Sequence, residues 1–85
     1  MKFKPQSILY DEEDFKIAWG LWDNNDECLG MRWTGYPFER GGDEAWLVIP
    51  DNLGRKFIQI LIGENGANNA NIINVLQNLY KQELL

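Results

Sequence analysis

Phe15-Lys16-Ile17-Ala18-Trp19-Gly20-Leu21-Trp22, then Asp23-Asn24-Asn25-Asp26-Glu27, then Cys28-Leu29-Gly30-Met31-Arg32-Trp33: the reading of this stretch decides the fold. In the first run Phe15, Ile17, Trp19 and Leu21 recur with the period of two that marks a half-buried strand, and Leu29, Met31 and Trp33 do so in the last. The run between them is turn chemistry, because Asn and Asp tolerate left-handed backbone and bond their own main chain. The spacing predicts an antiparallel hairpin with strands over 15–22 and 28–33. Setting Trp22 opposite Cys28 places Leu21 with Leu29, Trp19 with Met31 and Ile17 with Trp33, so the large apolar side chains share one face. The other face then carries Trp22/Cys28, Gly20/Gly30, Ala18/Arg32 and Lys16/Thr34, a floor of small residues edged by an indole and two cations.

Outward from the hairpin, Thr34 to Glu44 is punctuated by Gly35, Pro37, Gly41 and Gly42 and reads as a long loop bearing Tyr36, Phe38 and Arg40. Ala45-Trp46-Leu47-Val48-Ile49 is nearly continuous apolar sequence, the pattern of a strand covered on both sides, and Pro50 ends it. Asp51 suits the N-cap of a helix over 51–62, with Leu53, Phe57, Ile60 and Leu61 on one face and Gly63 as its stop. Gly54 weakens that helix's first turn by ~1 kcal/mol relative to Ala. The asparagine-rich run from Asn65 to Asn71 reads as an interhelix turn. A second helix over 69–83, capped by Asn68, Asn69 or Asn71, presents Ile72, Val75, Leu76, Leu79 and Tyr80 at spacings of three and four. Residues 1–10 stay open: Ser7 to Tyr10 could add a short edge strand, and Pro5 with the adjoining acids argues against it. The order predicts an α+β fold: a small antiparallel sheet of about three strands (15–22, 28–33 and 45–49) followed by two helices packed on one face. With 85 residues the chain is one domain, 1–85, and four Trp, three Tyr and four Phe suffice for a small core.

Composition removes much chemistry. No histidine is present, and Cys28 is the single cysteine, which leaves no intramolecular disulfide, no Cys/His zinc site and no imidazole-assisted nucleophile. The acidic runs Asp11-Glu12-Glu13-Asp14 and Asp23 to Glu27 fall in polar, turn-like sequence, where a solvated surface is the plain reading and a buried general acid is not. Asp23 to Glu27 also lacks the ligand spacing and sixth-position glycine of an EF-hand loop, so no metal and no cofactor is expected. Cys28 beside Arg32 suits a thiol of lowered pKa, yet an inert strand cysteine is the commoner case. Net charge is −5, with ten acids and five bases in residues 1–50 and three of each in 51–85. Such a field repels phosphate backbones, so direct nucleic-acid binding is not expected, and one Arg40-Gly41-Gly42 next to Asp43 and Glu44 does not reverse that. No apolar run reaches the ~18 residues of a membrane span or follows the cationic start as a signal peptide would, so the expected setting is the cytoplasm.

Leu29-Gly30-Met31-Arg32-Trp33, Tyr36-Pro37, Gly41-Gly42 and Trp46-Leu47-Val48-Ile49-Pro50 make a G-x-R-W, Y-P, G-G, W-x-x-x-P pattern over residues 29–62. In this the chain resembles short uncharacterised bacterial proteins, some borne by prophages or mobile elements. The resemblance implies a bacterial, cytosolic, accessory setting and no particular activity.

The leading expectation is therefore a non-enzymatic protein-interaction module of the inhibitor, immunity or adaptor type, which occupies a surface of another protein; a second copy of the chain is an admissible partner. Its expected contact residues are Trp22 and Arg32 as anchors, Gly20 and Gly30 as the floor, and Tyr36 and Arg40 at the edge, since aromatics and arginine are enriched at interface cores. The plain alternative is that the chain's own N-terminus or loop 34–44 covers this face. A small-ligand-binding module on the same glycine floor is the second expectation. Nucleic-acid mimicry by the acidic front half is the third, and its interspersed cations make it a poor mimic.

Overall fold

The computed structural model describes residues 2–23, 25–35 and 44–84, the side chains of Asp51 and residues 82–84 excepted. Four antiparallel strands, β1 (Phe3–Glu12), β2 (Phe15–Trp22), β3 (Asp26–Trp33) and β4 (Leu47–Ile49), form a meander in the order β1-β2-β3-β4. Helices α1 (Asp51–Leu61) and α2 (Asn69–Leu84) follow, α1 packing mainly on β3 and α2 on β1. This is the expected α+β class, with one strand more.

The hairpin forms with the predicted faces and a different register. Gly20 pairs with Cys28, Trp19 with Leu29, Ile17 with Met31 and Phe15 with Trp33. The turn is tighter by two residues than expected. Asn25 donates its backbone N–H to the Trp22 carbonyl at 3.2 Å, and Asp23 takes φ 56°. A slip of two preserves side-chain parity, so each strand keeps its apolar face while every partner changes. One consequence corrects an expectation: Trp33 lies opposite Phe15 at the end of the sheet, 56% exposed, with its ring 4.6 Å from that of Phe15.

β1 is a full edge strand, ten residues long. Its ladder slips between Pro5 and Ser7 and again between Ile8 and Tyr10. Each slip inserts one residue, which breaks the period of two. Ile8 therefore packs with the outer face while Leu9 and Tyr10, adjacent in sequence, both serve the helix-side core. The other edge is β4, only three residues long, with Leu47 exposed. The expected doubly covered strand over 45–49 is thus a short edge strand.

The core between sheet and helices consists of Leu9, Ile17, Trp19, Leu29, Ile58, Leu61, Ile72, Val75 and Leu79. α1 presents a different face from the one expected: Gly54, Ile58 and Leu61 point inward, whereas Leu53 and Ile60 are exposed. Gly54 is the reason, because a Cβ there would stand 3.1 Å from the Leu29 Cβ, so its absence lets the helix settle onto β3. The N-cap position of α1 is Pro50, without a side-chain cap bond, and Asp51 is the first helical residue. Gly63, at φ 84°, stops the helix as expected.

The asparagine-rich turn stitches α2 to the edge of β1. Asn68 caps α2, its side-chain oxygen accepting from the Asn71 N–H at 3.0 Å, while its own N–H donates to the Leu9 carbonyl at 2.8 Å. Asn71 Nδ2 donates to the Ile8 carbonyl at 2.9 Å, and Asp11 N–H donates to the Gly66 carbonyl at 2.9 Å. An edge that would otherwise offer bare backbone groups is covered along this stretch.

Candidate interaction surfaces

The outer face of the sheet, where the sequence places a binding site, holds a small apolar cluster of its own. Phe3, Ala18 and Cys28 are buried there, with Ile8, Trp22, Trp46 and Val48 packed against them. The two glycines are consumed by the chain itself. A Cβ on Gly30 would lie 2.7 Å from Cε2 and Cζ of Phe3, so the Phe3 ring lies on that position. A Cβ on Gly20 would run into the backbone of Lys4 and Pro5, so that glycine is what lets β1 cross close to β2. The floor is covered by the N-terminal strand, the plain alternative.

Arg32 is pinned rather than presented. It is 6% exposed, its Nε donates to a Glu44 carboxylate oxygen at 3.0 Å, and its Nη1 donates to the Ala45 carbonyl at 3.0 Å. A buried guanidinium needs such partners, since stranding the charge would cost several kcal/mol. The pair fixes the chain just before Trp46, whose ring then meets Phe3 at a centroid distance of 5.2 Å. Trp22 is half-buried, opposite Phe3 on one side and Asp26 on the other. Tyr36 and Arg40 lie outside the described residues. Of the six expected contact residues, Trp22, Gly20, Gly30 and Arg32 thus share the outer face, but Trp22, opposite Asp26, and Arg32, opposite Lys16, stand at opposite ends of the hairpin, the first packing against the Phe3 cluster and the second holding the chain before Trp46.

At the margin of this face lies a cavity of about 250 Å³ lined by Lys2, Phe3, Lys4, Pro5, Glu44 and Trp46. That is below the ~300 to 1,000 Å³ of ordinary ligand pockets. Among the described residues no three metal-ligating side chains converge, and no helix is long and apolar enough to cross a membrane. Cys28 is buried in the outer cluster.

The helix layer carries the features sequence reading missed. Leu53 and Ile60 on α1 are 55% and 65% exposed and stand at i and i+7, with half-buried Phe57 between them. On α2, Ile73 and Tyr80 are 46% and 64% exposed and also stand seven apart. They line an open groove of about 550 Å³ with Leu76, Gln77 and Lys81. A second hollow, of about 230 Å³, lies between the helices and is lined by Arg55, Gln59, Leu76, Leu79 and Tyr80. The flank of α1 bearing Arg55 and Gln59 therefore faces α2, and the Leu53–Phe57–Ile60 flank faces away. The signal was in the sequence, because each helix has more apolar positions than one buried stripe can hold.

No protein-family profile, curated protein or solved structure matches this chain.

Proposed function

We propose that this chain is a small, acidic, non-enzymatic protein-interaction module of the inhibitor, immunity or adaptor type, working in the cytoplasm by occupying a partner's surface. One observation carries the reading: Leu53 and Ile60 stand exposed one heptad apart on the same flank of α1, bridged by Phe57, which packs against the edge of the core. Scattered apolar residues are ordinary on any surface, but aligned ones are the pattern with which a helix anchors in a groove or receives another. The docking surface is then the helix layer. The outer sheet face, with Trp22 and Arg32 engaged in holding Phe3 and Trp46, serves as its support.

The test is affinity capture from the native host with wild type and with Leu53→Glu/Ile60→Glu, followed by mass spectrometry. Both sites are exposed, so the variant keeps its circular dichroism and melting curve. The expected result is a protein that co-purifies with wild type and is absent from the variant. An identical protein set for both, or a co-purifying small molecule alone, overturns the reading.

A further inference from the structure

We propose that Asn65 is a site of intramolecular deamidation: the main-chain nitrogen of Gly66 attacks its side-chain amide, and the isoaspartate that follows opens the seam between α2 and β1. This holds whether or not the helix layer docks a partner. Of the asparagines in the chain, Asn65 alone precedes a glycine. Glu64 to Ala67 form a tight turn, closed by the Ala67 N–H donating to the Glu64 carbonyl at 3.1 Å, with Gly66 in its third position at φ 94°. Asn65 and Gly66 are both exposed, and among the described residues neither the Asn65 amide nor the Gly66 N–H has a hydrogen-bond partner. Neighbouring asparagines are held: Asn68 Oδ1 accepts from the Asn71 N–H, Asn69 Oδ1 accepts from the Gly63 N–H, and Asn71 Nδ2 donates to the Ile8 carbonyl. A side chain at position 66 would hinder the attacking nitrogen, and glycine leaves it open.

Water is the sole co-reactant. As the Gly66 nitrogen bonds to Asn65 Cγ, the Cγ–Nδ2 bond breaks, and Nδ2 leaves as ammonia with the proton that the Gly66 N–H gives up. The resulting succinimide then takes up water at either of its carbonyls. Opening at Cγ gives aspartate on an unaltered main chain. Opening at the former main-chain carbonyl gives isoaspartate, whose main chain runs through Cβ and Cγ and is longer by a carbon. That carbon falls inside the turn, where the seam depends on short contacts: the Asp11 N–H to the Gly66 carbonyl at 2.9 Å, the bridge of Tyr10 to Ala67, and the Asn68 N–H to the Leu9 carbonyl at 2.8 Å. Lengthening the turn carries these donors and acceptors out of hydrogen-bond distance. Either product also sets a new carboxylate beside Glu64 and near Glu12, whose Oε1 lies 3.0 Å from where a Cβ on Gly66 would stand.

The test is to age the purified full chain in mildly alkaline buffer, digest it and locate the deamidated residues by mass spectrometry, with fragmentation that tells isoaspartate from aspartate. Asn65 is expected to convert ahead of every other asparagine, and faster as pH rises. The isoaspartate fraction, separated by chromatography, has a lower denaturant midpoint than the fresh chain, and its Asp11 and Asn68 amides exchange faster with solvent. Asn65→Ser, aged alongside, keeps its midpoint. Asn65→Asp carries the charge on an ordinary main chain and loses less than the isoaspartate form. The proposal is overturned if Asn65 survives in the folded chain while a urea-denatured sample converts, or if another asparagine converts first. It is equally overturned if aged Asn65→Ser loses as much as wild type, or if the isoaspartate fraction is no less stable than Asn65→Asp.

Discussion

The two faces of the sheet are built from the same strands and closed in opposite ways. On the helix side β2 and β3 offer Ile17, Trp19 and Leu29, and the two helices that follow the sheet in the chain arrive to bury them, with Leu9 of β1 beside them. On the outer side the same strands offer Ala18, Gly20, Cys28 and Gly30, and a strand from the chain's own start lies down on them. The first face is closed by volume. The second is closed by approach, because removing side chains from β2 and β3 lets the Phe3 ring and the backbone of β1 come within contact distance. A glycine floor in mid-strand thus marks where something comes close, and here the something is intramolecular.

The sharpest way to break this comparison is to truncate one indole from each face. Trp19 is buried in the main core, with its Nε1–H donating to a Glu27 carboxylate oxygen at 3.2 Å, and Trp19→Ala should cost ~3 to 5 kcal/mol, a large share of a small domain's stability. Trp22 is half-buried on the shallower face, and Trp22→Ala should cost roughly 1 to 2 kcal/mol. Denaturant midpoints measure both. Equal losses would mean that the outer cluster is a second core of the same weight.

The next test concerns approach directly. Gly30→Ala puts a methyl group into the Phe3 ring and should cost about 1 to 3 kcal/mol, the usual range for overpacking. In a Phe3→Ala background the same methyl has room, and its cost should fall close to zero. A double-mutant cycle reads the coupling. Additive losses would show that Gly30 is needed for some other reason than to seat Phe3.

What the sequence made legible follows from where its patterns stay regular. β2, β3 and both helices keep their periods, so existence, order and sheet faces could be read. Register could not, since moving the pairing by two residues keeps every side chain on its own face. β1 was hidden by its two bulges, which cancel the alternation that announces a strand, and by Pro5, which an edge position tolerates. The rotation of α1 was hidden because Gly54 looked like a weakness and is a contact point. The candidate surface shared that fate: Arg32 carried the right chemistry for an interface, but its ion pair with Glu44 uses it within the chain.

The smallest expected effect sits at the seam where the helix face meets the edge of β1. Tyr10 packs edge-on to Phe15, with ring centroids 6.3 Å apart, and bridges to Ala67 in the interhelix turn. Partial burial, then the Glu12 and Glu64 carboxylates, raise its phenol above the ordinary value of 10.0. All three causes disfavour the phenolate in the folded state. A raised folded pKa means that the contribution to stability is fully present below about pH 10 and is lost as pH rises through the folded value. The phenolate absorbance of wild type minus that of Tyr10→Phe isolates this group from Tyr36 and Tyr80. Its midpoint should lie above that of an exposed phenol and fall towards it in Glu64→Gln, whereas Glu44→Gln, on the outer face, should leave it in place. A midpoint that moves equally in both variants would mean that Tyr10 senses net charge rather than this seam, and the closure of the helix face would lose its local electrostatic signature.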